Sequence, residues 1–331
     1  MRLIALLLSA ALLAPAQGVI QEAPKPFDAW LSDVIADARA RGFSEELLND
    51  TLVGLQPLPR VVERDRSQTE FTRTLDRYFR ALATPRIIRL GRQHATQDRT
   101  LLRSIQTTYG VPPSIVLAIW AIESHYGEFT GATPVFQALA TLAWEPRRSD
   151  FFRGELFKAL TIVSGGYIDA KTMTGSWAGA MGQPQFMPSS YLEHAVDFDK
   201  DGLRDIWRST PDALASIASY LNDYGWTAGQ AWGREVTITA DAREKIRDIP
   251  MRTTGCTATR MMTERRPLNS WGERGVRLKS GGALPGSDIP ASLVETGGRS
   301  FLVYPNYDAL LGYNCAHLYA LSVAMLADTL Q

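Results

Sequence analysis

Residues 116–127, VLAIWAIESHYG, place one carboxylate, Glu123, near the end of an otherwise apolar stretch. Ile115, Ile119 and Ile122 recur at i, i+4 and i+7, the spacing of a single helix face. At about 100° per residue Glu123 borders that face, which points its carboxyl inward. Apolar walls disfavour the anion, raise the pKa and let the group hold a proton near neutral pH, so Glu123 is a candidate general acid. A solvated helix-end glutamate, or a buried one paired with an arginine, fits the same local pattern, and this stretch alone does not separate the readings.

Working outward, residues 110–114 (GVPPS) read as a helix start, because a first turn tolerates proline. Residues 133–142 and 151–163 read as two more helices, so the Glu123 helix is packed among others. Upstream, Phe27, Trp30, Leu31 and Val34, and again Phe71, Leu75, Tyr78 and Phe79, fall on helix faces, with a proline-marked break at 55–60 between them. This region is assigned packing and no chemistry. His125, next to Glu123, diverges from it by about 100° and reads as structural or substrate-facing at best.

Residues 171–191, KTMTGSWAGAMGQPQFMPSSY, combine small residues that allow close backbone approach with neutral hydrogen-bonding groups at Ser176, Gln183 and Gln185. Trp177, Phe186 and Tyr191 interleave with them, a mixture that suits a sugar better than a phosphate; a tightly packed helix–loop–helix would use the same small residues. No Asp or Glu occurs from 171 to 192. Double-displacement and inverting glycosidases both need a second carboxyl group, which this loop does not supply. Glu128, Asp150 and Glu155 remain candidates for that partner.

Residues 197–207, DFDKDGLRDIW, match the start of an EF-hand loop: Asp197, Asp199 and Asp201 at positions 1, 3 and 5, the Leu203 carbonyl at 7, Asp205 at 9 and glycine at 6. Arg208 stands where the closing glutamate belongs, and Asp212 is positioned to close a longer loop. A structural calcium site and an aspartate-rich capping turn both fit. After Trp226 the character changes: 236–239 and 301–304 read as strands bounding a small β-containing insertion, 233–304, and 308–330 returns to helix with Leu318, Leu321 and Met325 on one face.

Lys+Arg and Asp+Glu both number 35, so no basic excess points to nucleic acid or an anionic membrane. HExxH, G-x-S-x-G, P-loop and GxGxxG arrangements are missing, which leaves metalloprotease, serine-hydrolase, NTPase and dinucleotide readings without support. Residues 1–16 carry one positive residue, an apolar run and a small-x-small exit at 14–16, the pattern of a secretory signal peptide. With no cysteine after the exit, a soluble periplasmic chain without a stable membrane anchor is expected. Cys256 and Cys315 both lie in the exported part, where an oxidising compartment favours a disulfide over two buried thiols.

AIESHYG (121–127), PVFQALATLAW (134–144), GSWAGAMGQPQFMPSSYLEHAVDFDKDGLRDIW (175–207) and YNCAHLYALSVAML (313–326) together resemble the membrane-bound lytic transglycosylase B type of peptidoglycan-cleaving enzyme. The resemblance implies a mainly α (α+β) fold: an N-terminal α-helical region at 17–106, a lysozyme-like core at 107–232 holding the 197–212 loop, the β insertion, and a C-terminal segment, 305–331, completing the core. It also implies non-hydrolytic cleavage of the β-1,4 bond between N-acetylmuramic acid and N-acetylglucosamine, with Glu123 as sole acid and base and no cofactor. Carried over by position, Ser176 orients the N-acetyl group, Gln185 contacts sugar, Tyr220, Tyr313 and Asn314 line the cleft, and Tyr126 meets a sugar ring. The implied partners are peptidoglycan strands and, beyond them, cell-wall synthesis or division proteins. The sequence departs from the family pattern at Gln183-Pro184, where Tyr-Gly is more familiar, and in the one-residue-longer stretch before Asp212. A water-using hydrolase and a non-catalytic glycan-binding protein are the competing readings.

Overall fold

The computed structural model describes residues 25–66 and 74–331. The signal-peptide reading of 1–16 and the Phe71 position fall outside these residues. The chain opens with α1 (Phe27–Ala40), α2 (Glu45–Thr51) and α3 (Pro59–Arg66), then α4 (Leu75–Leu82), α5 (Pro85–Gln97), α6 (Arg99–Tyr109) and α7 (Pro113–Ser124). Next come β1 (Thr133–Pro134), α8 (Val135–Trp144), α9 (Ser149–Ser164), β2 (Thr174–Gly175), α10 (Pro188–His194) and α11 (Thr210–Asp223).

Helix α7 carries the quoted stretch and is apolar nearly all round, with Ser114 through Ala121 buried. Such a helix has no solvent face, so it becomes the axis on which the others pack. One core surrounds it, joining Ile87 and Ile105 of α5 and α6 to Ile217 of α11 and to the C-terminal helices. A second core joins Leu31, Leu48 and Val61 of α1–α3 to Leu139, Leu156 and Phe186. The N-terminal helices therefore divide between the two cores: α1–α3 serve the second, α5 and α6 the first.

The insertion has its own core around Trp271, Val276, Leu293 and Leu302. Its strands are β3 (Gly233–Thr237), β4 (Arg266–Pro267), β5 (Arg277–Leu278), β6 (Pro290–Thr296) and β7 (Arg299–Val303), in the antiparallel order β4-β6-β7-β3-β5. The two expected strands are neighbours here, each beginning two or three residues earlier than read. Between them lie the short helices α12 (Ala240–Ile246), α13 (Thr257–Arg260) and α14 (Leu268–Glu273). Gly297 and Gly298, at φ 60° and 77°, make the two-residue turn between β6 and β7 that few other residues could adopt.

The expected 308–330 helix is two helices, α15 (Pro305–Tyr313) and α16 (His317–Leu330), bent by 116° at residues 314–316. Asn314 and Ala316 are extended at the bend, and Cys315 between them is bonded to Cys256, with Cα atoms 6.2 Å apart. A continuous helix would hold Cys315 within its own backbone spiral. The expected disulfide is present, and the α15–α16 elbow is where it attaches. Helix α16 is also buried more widely than a single Leu318–Leu321–Met325 face, including Tyr319, Val323 and Leu326.

Candidate active site

Helix α7 ends abruptly after Ser124. His125 (φ 50°) and Tyr126 (φ 62°) are left-handed although neither is glycine, and Gly127 (φ 84°) follows. Each non-glycine costs about 1 kcal/mol in this conformation. Local hydrogen bonds hold the turn: the His125 amide donates to the Ala121 carbonyl at 3.0 Å, and the Gly127 amide to Ser124 Oγ at 3.1 Å. The helix end that carries Glu123 is thereby fixed.

The half-buried Glu123 carboxyl has its pKa pushed up to about 7 by burial, and the hydroxyl of Tyr319 pulls in the opposite direction by donating to Oε1 at 2.5 Å. The partial negative charge of the α7 carbonyl end adds to the disfavour of the anion. A carboxyl poised near 7 can give a proton and later take one back at the same pH. The bland alternative of an arginine-paired glutamate does not hold, since Glu123 joins no ion pair among the described residues.

Tyr319 was not singled out from the sequence; it was absorbed into an apolar-looking helix. It lies in the first turn of α16, just past the elbow, while Tyr313 is the last residue of α15 just before it. The two rings are nearly parallel, 11° apart in plane with centroids 6.3 Å apart, and the charge of Glu123 acts on both. Tyr313 donates to the Pro184 carbonyl at 2.7 Å, tying the elbow to the small-residue loop. Tyr78 of α4 also acts electrostatically on Tyr319. The available sequence signal was a tyrosine interrupting an otherwise apolar face of α16.

Tyr126 is buried by the left-handed turn: it is 7% exposed, packs against Trp120 and His94, and donates to the Ile87 carbonyl at 2.9 Å. Tyr220 is equally hidden, at 6% exposure, its hydroxyl on the Gly312 carbonyl at 2.8 Å and its ring 4.7 Å from Tyr313. It therefore supports Tyr313 from beneath. Asn314 is exposed in the elbow, and its side chain makes no hydrogen bond among the described residues.

The small-residue loop folds into narrow antiparallel steps, β1 on β2 and then bridges Gly175–Met181 and Met181–Phe186. Ser176 Oγ accepts from the amides of Ala178 (3.3 Å) and Ala180 (3.1 Å), which fixes the oxygen and leaves its proton for a ligand. Gln185 (φ 52°) donates its amide to the Thr130 and Gly182 carbonyls at 3.0 and 2.9 Å, leaving Oε1 without a protein donor among the described residues. The atypical Gln183 is buried and bridges helices and loops: it accepts from Trp120 Nε1 at 2.9 Å, and its backbone amide donates to the Ile206 carbonyl at 2.9 Å. Gly127 makes room for it, since a Cβ there would stand 2.8 Å from Gln183 Oε1.

The candidate second carboxylates are engaged elsewhere or exposed. Glu128 is paired with Arg86, Glu155 accepts from the Ser189 amide at the start of α10, and Asp150 is exposed in the first turn of α9. Among the described residues no other carboxylate acts on the pKa of Glu123.

In the aspartate loop, Asp197, Asp199, Asp201 and Asp212 each bring a carboxylate oxygen within 4.8 Å of the others. None of the four is in an ion pair among the described residues. Asp212 is buried; burial raises its pKa while the amides of Phe198, Asp205 and Asp199 hold it back. Asp205 turns aside to cap Trp207 and Arg208. Four converging hard oxygens without a countercharge fit a divalent cation of the calcium type.

The transglycosylase SLT domain model matches residues 26–328. The membrane-bound lytic murein transglycosylase B of Escherichia coli (strain K12) is 40% identical over 154 residues, 46% of this chain, and the aligned stretch spans only 42% of that relative. SltB3 from Pseudomonas aeruginosa, solved with NAG-anhNAM-pentapeptide and with NAG-NAM-pentapeptide, is 41% identical with a TM-score of 0.82, covering 92% of this chain and 79% of that one. The Escherichia coli lytic transglycosylase Slt35 in complex with calcium is 28% identical with a TM-score of 0.75, covering 91% and 92%.

Proposed function

Since this chain belongs to the transglycosylase SLT-domain family, we propose that it is a lytic transglycosylase that cleaves peptide-bearing peptidoglycan strands between N-acetylmuramic acid and N-acetylglucosamine without consuming water. The observation that carries this reading is a single carboxyl, Glu123, poised near 7 with no second carboxylate among the described residues acting on it. Protonated Glu123 gives its proton to the bridging oxygen as the C1–O bond breaks. The same carboxylate then takes the proton of the muramyl C6 hydroxyl as O6 bonds to C1, closing a 1,6-anhydro ring. Atoms balance within the sugar and the glutamate, and the carboxyl ends protonated again.

Ser176 is assigned to the N-acetyl group, through the proton its turn leaves available. Tyr319 positions the Glu123 carboxyl, Tyr313 walls the cleft over Tyr220, and Gln185 offers Oε1 to a sugar hydroxyl. The SltB3 complexes contain NAG-anhNAM-pentapeptide and NAG-NAM-pentapeptide, which supports the same substrate class here. Calcium, held by Asp197, Asp199, Asp201 and Asp212 with the Leu203 carbonyl, has a structural role, tying the loop to the start of α11; the calcium complex of Slt35 supports this. The protein works in the periplasm, a reading that a peptidoglycan substrate supports.

Glu123→Gln keeps the shape and removes the titrating proton, so release of soluble muropeptides from purified peptidoglycan is expected to fall by about 10²–10⁴-fold. Equal release by wild type and variant would end this reading.

A further inference from the structure

Helices α10 and α11 end on two residues that meet. His194, the last residue of α10, is 8% exposed, and its Nδ1 stands 2.7 Å from Oδ2 of Asp223, the last residue of α11. A carboxylate in that place puts a proton on Nδ1 and fixes the plane of the ring. The imidazole so held makes an edge contact with Tyr220, with centroids 4.5 Å apart and planes at 61°.

A buried histidine that had only to satisfy its own nitrogen would need Asp223 and nothing more. Tyr220 gives the contact a further end. Tyr224 stacks on the Tyr220 ring at 4.6 Å, the Tyr220 hydroxyl holds the Gly312 carbonyl, and Tyr313 packs 4.7 Å away. Gly312 also lies against Tyr224, where a Cβ would stand 2.2 Å from Cδ1. Helix α15 thus enters the elbow resting on two tyrosines of α11. From the other side, Phe186 of the small-residue loop packs against Tyr220 and Tyr313 at 5.6 and 5.9 Å, and α10 begins two residues after it. His194 therefore joins the helix that continues the loop to the helix that supports the elbow, and both meet at Tyr220.

We propose that His194, held by Asp223, is a positioning residue: it sets Tyr220, and through Tyr220 the Tyr313 wall of the glycan cleft. It acts through that ring and not on the sugar. The proposal rests on the reading of Tyr313 as a wall of the cleft.

The test measures kcat and KM on soluble glycan strands for wild type, His194→Ala, His194→Phe and Asp223→Ala. His194→Ala is expected to raise KM about fivefold, the scale of one aromatic edge contact. Its kcat is expected to change less than about twofold, because a loosened wall weakens binding of substrate and transition state alike. His194→Phe puts back a ring edge and recovers most of the loss, while Asp223→Ala, which leaves the ring without its partner, raises KM about twofold. A protein that was merely destabilised would lose active molecules, lowering kcat and leaving KM alone. An unchanged KM in His194→Ala, or a His194→Phe no better than His194→Ala, overturns the proposal. An unchanged KM in Asp223→Ala does likewise, and that variant is expected to fold because the Asp223 side chain is 48% exposed. Hydrogen exchange decides independently of turnover: the Asn314 and Ala316 amides, bonded to the Leu310 and Asn314 carbonyls, are expected to exchange about tenfold faster in His194→Ala, with α1 unchanged. Faster exchange supports the positioning role even if the wild type cleaves nothing, which would count against the lytic reading alone. Unchanged exchange at the elbow overturns the role while leaving cleavage in place.

Discussion

Glu123 works through protonation, and its environment sets the pH range in which it can. The first step needs the acid form, so with the pKa near 7 the rate is expected to hold below neutrality and fall as pH rises through about 7. The Tyr319 hydroxyl favours the anion by donating to it. Tyr319→Phe removes that donor, so the pKa rises and the alkaline limb of the kcat/KM profile moves to higher pH. The variant also loses a hydrogen bond to a charged group, worth roughly 1.5–3 kcal/mol, and turnover at the optimum is expected to drop by about tenfold or more. A pH–rate profile of wild type and Tyr319→Phe checks both shift and loss. Glu123 and Ser176 could be singled out in the sequence because each sits in a distinctive local pattern, a lone acid in an apolar helix and a serine among glycines. Tyr319 was not, because its role depends on the elbow that turns α16 back onto α7. The burial of Tyr126 was not legible for the same kind of reason: two left-handed residues reverse the chain, and helical periodicity cannot register a reversal.

The two elements that aim the site are the α15–α16 elbow and the aspartate loop. The Cys256–Cys315 bond ties the elbow to α13, two residues after Tyr313 and four before Tyr319. Reduction, or Cys256→Ser with Cys315→Ser, is expected to cost about 2–4 kcal/mol of stability and to lower kcat as both tyrosines loosen. Thermal melting and turnover with and without a thiol reductant measure this, and unchanged turnover in the reduced protein would separate the bond from the site. In the loop, calcium is expected to raise the melting temperature by mass action on the folded state and chelation to reverse it, with Asp212→Asn abolishing the response. Helix positions were readable because proline starts and apolar periodicity are local. The break at 314–316 was not, since residues 308–330 keep an apolar pattern throughout and only the tertiary bond reveals the bend. The loop was readable from the spacing of its aspartates, whereas Asp205's turn toward Trp207 and Arg208 needed coordinates.

At the scale of the molecule, the described residues build three cores. The first holds α7, the second holds the small-residue loop against α8 and α9, and the third leans on the first through Gly297 and Arg299, which meet Leu75 and Asp76 of α4. Helix α4 carries Tyr78 toward Tyr319, so the insertion supports the wall of the site from outside. This division of the N-terminal helices between cores lies beyond a linear reading, because amphipathic helices declare an apolar face without naming its partner. The mainly helical class and the β insertion were visible, since periodicity changes at Trp226. The central claim is that one carboxyl does the work of two by using the sugar's own hydroxyl. Mass spectrometry of the soluble products from purified peptidoglycan tests it most directly. The account predicts muropeptides ending in 1,6-anhydro-N-acetylmuramic acid, each lighter by one water than a hydrolysis product. Products bearing hydrated reducing ends would contradict it and require a positioned water or a second carboxylate.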